Sequence, residues 1–198
     1  MRYRRAVEKL RVLGEACTSS TRLPFDEPFL REAYVFGKVL TGADPVECVE
    51  VAMVLNLPSR DVPWESQPRG TAWLVDHLRL DKGGYRYWWR SREDPVANHV
   101  IRGPVRFWSA TDGSDEAVLQ ALAERRFADL PRTRAGPGRA HGAAELASAL
   151  EHLRTVCGSY WEREWRREHR GIGRHPEDTL GEAVHGYLDL LDAEERGG

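Results

Sequence analysis

The sequence predicts an α+β fold: a small antiparallel or mixed sheet of four or five strands with helices on one side, followed by a C-terminal helical hairpin. Short stretches rich in β-branched and aromatic residues are typical of strands, and they lie at residues 34–36, 49–55, 85–90 and 105–109. Segments before, between and after them repeat apolar residues every three or four positions, which is typical of helices.

The chain begins with a predicted amphipathic helix. Tyr3, Val7, Leu10 and Leu13 lie three or four residues apart with charged residues between them, so they form one apolar face. We expect this face to pack on the sheet. A loop around the prolines of residues 24–28 leads to the first strand.

The first two predicted strands flank a turn. The apolar runs 34–36 and 49–55 are separated by a segment that contains the loop formers Gly42 and Pro45. After the second strand, three prolines exclude regular structure within residues 58–70. The sequence leaves open whether that segment forms a lid.

Two helices and two further strands complete the predicted α+β part. Residues 72–80 form a short helix that ends before two glycines. Residues 85–90 and 105–109 are predicted to pair as antiparallel neighbours. Residues 115–127 form a helix whose first turn is acidic, as the helix dipole favours.

The C-terminal part is predicted to be a separate helical unit. Residues 130–141 contain two prolines, two glycines and three arginines, which indicates a linker. It divides an α+β domain of residues 1–129 from a hairpin of residues 142–193 that packs on it. The first helix of this hairpin should run for about 25 residues through the apolar face of residues 146–165, and the second begins at Pro176.

Composition excludes several classes of protein. The chain has 198 residues, of which 41% are hydrophobic and 30% charged, as in ordinary globular proteins. No apolar run approaches the roughly 20 residues of a membrane span, and we expect a cytoplasmic protein. A formal net charge of −2 does not favour wholesale nucleic-acid binding. The three cysteines, Cys17, Cys48 and Cys157, are far apart and predict free thiols.

Residues 34–56 read YVFGKVLTGADPVECVEVAMVLN. This stretch resembles the active-site strand pair of the nucleotidyltransferase superfamily, in which Gly-Ser closes the first strand and two carboxylates on the second hold Mg²⁺. Lys38 stands in place of the serine, Glu50 is the acid near the metal positions, and Ala52 replaces its partner. The resemblance implies this scaffold without its usual reaction, so we expect no catalytic residue, no metal and no cofactor.

An active nucleotidyltransferase is the alternative hypothesis. It would take its carboxylates from Asp44, Glu50 and a later strand, and it would use Mg²⁺ with a nucleotide. Glu47 cannot serve together with Glu50, because residues three apart on a strand point to opposite faces.

The later strands carry arginines and tryptophans at alternating positions. Counting by twos places Arg86, Trp88 and Arg90 on one face of the first strand, and Arg106 and Trp108 together on the second. Such a face can bind a protein partner, or it can stack bases and pair phosphates of a nucleotide or single-stranded nucleic acid. It can also be ordinary sheet surface covered by arginine stems.

Residues 160–175 read YWEREWRREHRGIGRH and are rich in charge. On a helix, Trp161 and Trp165 lie together with Arg166 beside them, which favours either a solvated amphipathic helix or a docking surface for a partner or second subunit. The Gly-Ile-Gly near the end of this stretch follows a helix, so it cannot present a helix N-terminus to phosphate.

Motifs for other chemistry are weak. The seven histidines show no HxH or HExxH spacing, so we expect no zinc site. Ser91, Ser109 and Ser159 lack a G-x-S-x-G context, which argues against a hydrolase.

The chain also contains the stretches REAYVFG, VLNLP, LDKGG, RGPVRFWS and WRREHRG. In these it resembles a family of uncharacterised actinobacterial proteins over nearly its whole length, and this resemblance implies no activity. We therefore expect a non-catalytic interaction or regulatory protein that binds a protein partner, or a second copy of itself, through its tryptophan and arginine surfaces.

Overall fold

The computed structural model describes residues 1–22, 29–133, 139–171 and 173–197. The loop predicted around Pro24 and Pro28 and residues 134–138 of the predicted linker lie outside these ranges. In the described part, a five-stranded mixed sheet is flanked by helices and followed by further helices, so the predicted α+β class is confirmed.

The sheet contains five strands: β1 (Leu30–Phe36), β2 (Val49–Leu55), β3 (Tyr85–Ser91), β4 (Val105–Ser109) and β5 (Gly113–Ser114). Their order across the sheet is β3-β2-β1-β4-β5. β1 is antiparallel to both β2 and β4, and β4 is antiparallel to β5. The predicted pairing of the first two strands is therefore confirmed.

The predicted antiparallel pairing of residues 85–90 with 105–109 is wrong. β3 instead pairs in parallel with β2, and β4 pairs with β1. Parallel neighbours require a crossover connection, which residues 56–84 supply. Apolar alternation indicates that a stretch is a strand, but it does not determine the neighbouring strand.

Six helices surround the sheet in the described part: α1 (Tyr3–Ser20), α2 (Ala72–Leu78), α3 (Glu116–Ala123), α4 (Arg139–Ser159), α5 (Arg163–Glu168) and α6 (Pro176–Gly197). None of them has both the length and the apolar character that a bilayer span requires. The long helix predicted over residues 146–165 is interrupted, since α4 ends just after Gly158 and Glu162 has an extended backbone before α5.

α1 covers one face of the sheet, as its apolar periodicity predicts. Its residues Leu10, Leu13 and Cys17 are fully buried in the core. The Tyr85 hydroxyl of β3 donates a hydrogen bond to the Lys9 carbonyl at 2.9 Å. Burial raises the pKa of the Cys17 thiol, so this thiol stays neutral inside the core.

A β-bulge changes the face to which Trp108 points. Tyr34 lies opposite Arg106, whereas Ala33, the next residue of β1, lies opposite Trp108. Because neighbouring strand residues point to opposite faces, Arg106 and Trp108 are on different faces. The indole nitrogen of Trp108 accordingly donates to the Thr18 hydroxyl of α1 at 2.9 Å. The prediction that Arg106 and Trp108 share a face is wrong for this reason.

α4 and α6 pack against each other, and Glu145 of α4 reaches the side of the sheet opposite α1. Ala149 of α4 and Leu190 of α6 are part of the same buried core as the strands. Arg90 of β3 points away from α1 and forms a buried ion pair with Glu145 of α4. This pair connects the strand to the C-terminal helices.

The proline-rich loop after β2 is fixed to α6 by Trp64. Its indole nitrogen donates to the Asp189 carboxylate at 2.7 Å, and the ring is 3% exposed. Its backbone carbonyl lies so close to Gly186 that a Cβ atom at that position would overlap it. Only glycine permits this approach.

We expect the substitution Gly186→Ala to lower the free energy of unfolding by about 1–3 kcal/mol, because the helix or the loop must shift. The matched control is Gly181→Ala in the same helix, where a Cβ atom meets nothing within 4 Å. This control should raise stability by up to about 1 kcal/mol through helix propensity. Equal effects of the two substitutions in urea unfolding would contradict the close contact.

Candidate functional site

The turn after β1 holds the carboxylate of Glu50. Gly37 has a left-handed backbone with φ of 70°, and a Cβ atom there would overlap the Glu50 carboxylate. That carboxylate accepts a hydrogen bond from the Lys38 backbone N–H at 3.2 Å. Glu50 therefore caps the 3₁₀ turn that begins at Gly37, a structural role that needs no metal.

The next position on the same face of β2 carries no second carboxylate. On the face of Glu50, Ala52 lies between Tyr34 of β1 and Trp88 of β3. Asp44 is held elsewhere, since it accepts from the Tyr3 backbone N–H at 3.3 Å and lies 3.5 Å from the Arg125 guanidinium. Across the described ranges, no three His, Cys, Asp or Glu side chains are placed to hold a metal ion.

Most of the predicted arginine and tryptophan face is covered. Trp88 is 5% exposed and packs on the Phe36 ring at 5.2 Å, and Trp108 is buried under α1. Arg90 is 3% exposed and donates to the Pro95 carbonyl at 2.7 Å. These three side chains do not present a free surface, because loops and helices cover them.

Arg86 and Arg106 remain exposed among the residues predicted for that face. The Arg86 guanidinium lies over the Trp88 ring at 5.0 Å. Arg106 forms an ion pair with Glu32 at 2.8 Å, and this hydrogen bond raises the pKa of the Arg106 guanidinium. Both guanidinium groups are already engaged within the chain.

A cleft of about 710 Å³ lies between the proline-rich loop and the C-terminal helices. One wall is the loop of residues 57–72, and the other comes from the middle of α4, the end of α5 and the start of α6. Half of the residues that line it are ionisable: Arg60, Asp61, Arg69, His152, Glu168, His169, Arg170, Arg174 and Glu182.

Each acid in the cleft lining is paired with an arginine. Glu168 binds Arg69 at 3.0 Å, and Glu182 binds Arg174 at 2.6 Å. The remaining acid, Asp61, lies 3.9 Å from the neighbouring Arg60. Arg170 forms no ion pair with any part of the chain that the structure describes.

Two histidines line the cleft. The His152 ring nitrogen Nε2 lies 3.4 Å from the buried Ser66 hydroxyl, and burial followed by the charge of His169 lowers the pKa of His152. In the described part of the chain no carboxylate contacts His152, so the group that orients the imidazole in a catalytic triad has no counterpart. The His169 ring stacks on Trp165 with centroids 3.9 Å apart.

Next to the cleft lies a cluster that we call the aromatic-arginine patch, formed by Tyr160, Trp161, Trp165, Arg166 and His169. Trp161 is 82% exposed. The Tyr160 ring contacts both tryptophan rings, with centroids at 4.9 and 6.0 Å, and the Arg166 guanidinium lies 4.9 Å over Tyr160. The patch is thus an ordered set of large side chains with an exposed indole.

Glu177 of α6 fixes the patch to the next helix. Its carboxylate accepts from Arg166 at 2.9 Å and from the Tyr160 hydroxyl at 3.1 Å. A hydrogen bond from its own backbone and then that from Arg166 lower the pKa of Glu177, so it stays ionised. The prediction that Trp161 and Trp165 lie together on one helix is wrong, because Trp161 lies in the turn before α5. The two indoles instead both contact Tyr160, and Arg166 lies 5.9 Å over the Trp161 ring.

The comparisons with known proteins place the whole chain in one family. A family match covers residues 1–196. The chain belongs to the family described as Domain of unknown function (DUF7711). No curated protein and no solved structure matches it. This match confirms the expected resemblance to an uncharacterised family over nearly the whole chain.

The substitution Gly37→Ala should be more destabilising than Gly70→Ala. Both glycines have left-handed backbones, with φ of 70° and 79°. Replacement of either glycine by alanine should therefore lower the free energy of unfolding by about 1–2 kcal/mol. Only Gly37→Ala also displaces Glu50, because nothing lies within 4 Å of a Cβ atom at Gly70.

In an unfolding experiment, Gly37→Ala should lower the free energy of unfolding more than Gly70→Ala does, and this difference should disappear when Glu50→Ala is also present. Equal costs of Gly37→Ala and Gly70→Ala in the wild-type background would contradict the capping role of Glu50.

The contribution of His152 to stability should fall as the pH is lowered from about 7 to 5. The pKa of folded His152 is below its ordinary value of 6.5, so the unfolded chain binds more protons in this range. The variant His152→Gln should flatten the dependence of unfolding free energy on pH relative to the wild type. An unchanged slope for His152→Gln would contradict this assignment.

Proposed function

We propose that this protein is a non-catalytic interaction protein, on a nucleotidyltransferase-like scaffold, that binds a protein partner through the aromatic-arginine patch. The observation that carries this proposal is the exposure of Trp161 within an ordered cluster. Any regulatory role would depend on which protein is bound, since the chain would supply recognition and not a reaction.

The absence of catalysis is supported by the strand pair. Glu50 caps the turn at Gly37 and Lys38 instead of facing a second carboxylate. Phosphoryl transfer needs acids that hold Mg²⁺ against the phosphates, and Ala52 supplies no oxygen ligand. The alternative transferase would need Asp44, which is held by Arg125 and the Tyr3 backbone.

The choice of a protein partner is supported by the types of side chain in the patch. Tryptophan, tyrosine and arginine dominate the binding energy of protein interfaces, because they bury a large area at a small cost in conformational entropy. Tyr160 and Trp165 already support the ring of Trp161. Burial of this exposed indole by a partner would contribute about 2–4 kcal/mol.

The alternative of a nucleic-acid surface on the sheet is less well supported. It requires stacking on Trp88 and contacts to Arg90, and both side chains are buried. Arg86 and Arg106 remain at the surface, but the first lies on a tryptophan and the second is paired with Glu32. Steeply salt-dependent binding of single-stranded nucleic acid would revive this alternative.

A photo-crosslinking residue in place of Trp161 should capture a protein partner in the native cell. The matched control is the same residue in place of Val12, which is also exposed but lies on α1 far from the patch in sequence. We expect a covalent adduct with another protein at position 161 and none at position 12.

The variant Trp161→Ala should lose the same partner in affinity purification while its free energy of unfolding changes by less than about 0.5 kcal/mol, because the side chain is exposed. Absence of an adduct at position 161, or equal adducts at both positions, would contradict the proposal. An adduct between two copies of the chain would show that the patch binds a second copy of the chain and not a different protein.

A further inference from the structure

The patch and the cleft form one continuous surface. His169 stacks on Trp165 within the patch and also lines the cleft, and its chain neighbours Glu168 and Arg170 line the same wall. The His169 nitrogen Nδ1 lies 2.8 Å from the Trp165 carbonyl, which can only accept, so Nδ1 carries the proton. With the proton on Nδ1, Nε2 is an acceptor.

The short helix α5 separates its side chains by type. Arg163 and Arg167 are four residues apart and share one side, and Arg170 follows three residues later at the cleft. Glu164 and Glu168 occupy a second side, and Trp165 with His169 a third.

The arginines on this first side have no acidic partners within the described residues. Arg163, Arg167 and Arg170 are exposed and form no ion pair there, whereas Glu168 is paired with Arg69. Glu162 and Glu164 are also exposed and form no ion pair there, but Glu162 precedes α5 and Glu164 lies on its second side, so the side of Arg163 and Arg167 carries only positive charge. Charge complementarity on this arginine side favours a negatively charged occupant.

The dimensions favour a segment over a folded domain or a single ion. A cleft of about 710 Å³ accommodates a few side chains of an extended segment, and the exposed indole of Trp161 lies outside it. Arginine guanidinium groups bind carboxylates in a bidentate manner, and an exposed tryptophan provides a flat apolar surface on which another side chain can pack.

Resting on the proposed function above, we infer that the partner contributes an acidic segment, which places an aromatic or aliphatic side chain on Trp161 and carboxylates along Arg163, Arg167 and Arg170. The occupant is thus an acidic peptide segment of a protein. Because the arginines are exposed, their contribution is screened by salt.

The test is selection of random 12-residue peptides displayed on phage, with the full chain as bait. We expect the selected peptides to be enriched in Asp and Glu and to contain at least one large apolar residue. The best peptide, measured by fluorescence anisotropy, should bind about tenfold more weakly to the variant R163E/R167E/R170E, and more weakly at high salt than at low salt.

The matched control is R2E/R4E/R5E, which changes the net charge equally at exposed arginines that form no ion pair in the described part of the chain. This control should retain wild-type affinity, and the melting temperature of each variant should stay close to that of the wild type. Failure to enrich any peptide, enrichment without an acidic bias, or equal weakening by both triple variants would overturn the inference.

The two proposals fail in different ways. If the partner depends on Trp161 but not on Arg163, Arg167 and Arg170, the acidic segment is wrong and the interaction function stands. If no partner depends on Trp161, the interaction function itself is wrong.

Discussion

The contact between Trp64 and α6 is the interaction on which the cleft and the position of the patch depend. Gly186 allows the Trp64 backbone to reach the helix, and Asp189 accepts from both the Trp64 indole and His99 at 2.7 Å. This contact brings the proline-rich loop against the C-terminal helices, so that Arg69 meets the end of α5. The same loop also meets the helices through Ser66 and His152 and through the Gln67 backbone N–H, which donates to Glu182 at 3.0 Å.

The acidic residues near the candidate sites serve structure. Glu50 caps a turn, Glu145 neutralises the buried Arg90, and Glu177 binds Arg166 within the patch. Each of these carboxylates has a hydrogen-bond partner within the chain, and removal of the Glu145 carboxylate would leave the buried Arg90 charge uncompensated. The exposed indole of Trp161 and the exposed arginines of α5 lie near Glu177, a composition suited to recognition.

The local pattern of the sequence predicts the elements well and their arrangement less well. The apolar spacing of α1 and the turn formers between β1 and β2 determine those elements locally, so they could be predicted. The parallel neighbour of β3 and the bulge that turns Trp108 towards α1 depend on contacts between distant parts of the chain, which no local pattern encodes. The patch could be predicted because its residues are adjacent in sequence. The cleft could not, since the contact of Ser66 with His152 joins residues 86 positions apart.

The most direct measurement is a thermal-shift series with ATP, GTP, CTP and UTP, each with and without Mg²⁺. A ligand at about 100 times its dissociation constant adds about 2.7 kcal/mol to stability, which should raise the melting temperature of a chain of this size by roughly 5–10 °C. A non-catalytic interaction protein should show no such rise with any nucleotide. A nucleotide-selective rise that requires Mg²⁺ would contradict the proposal and restore the transferase.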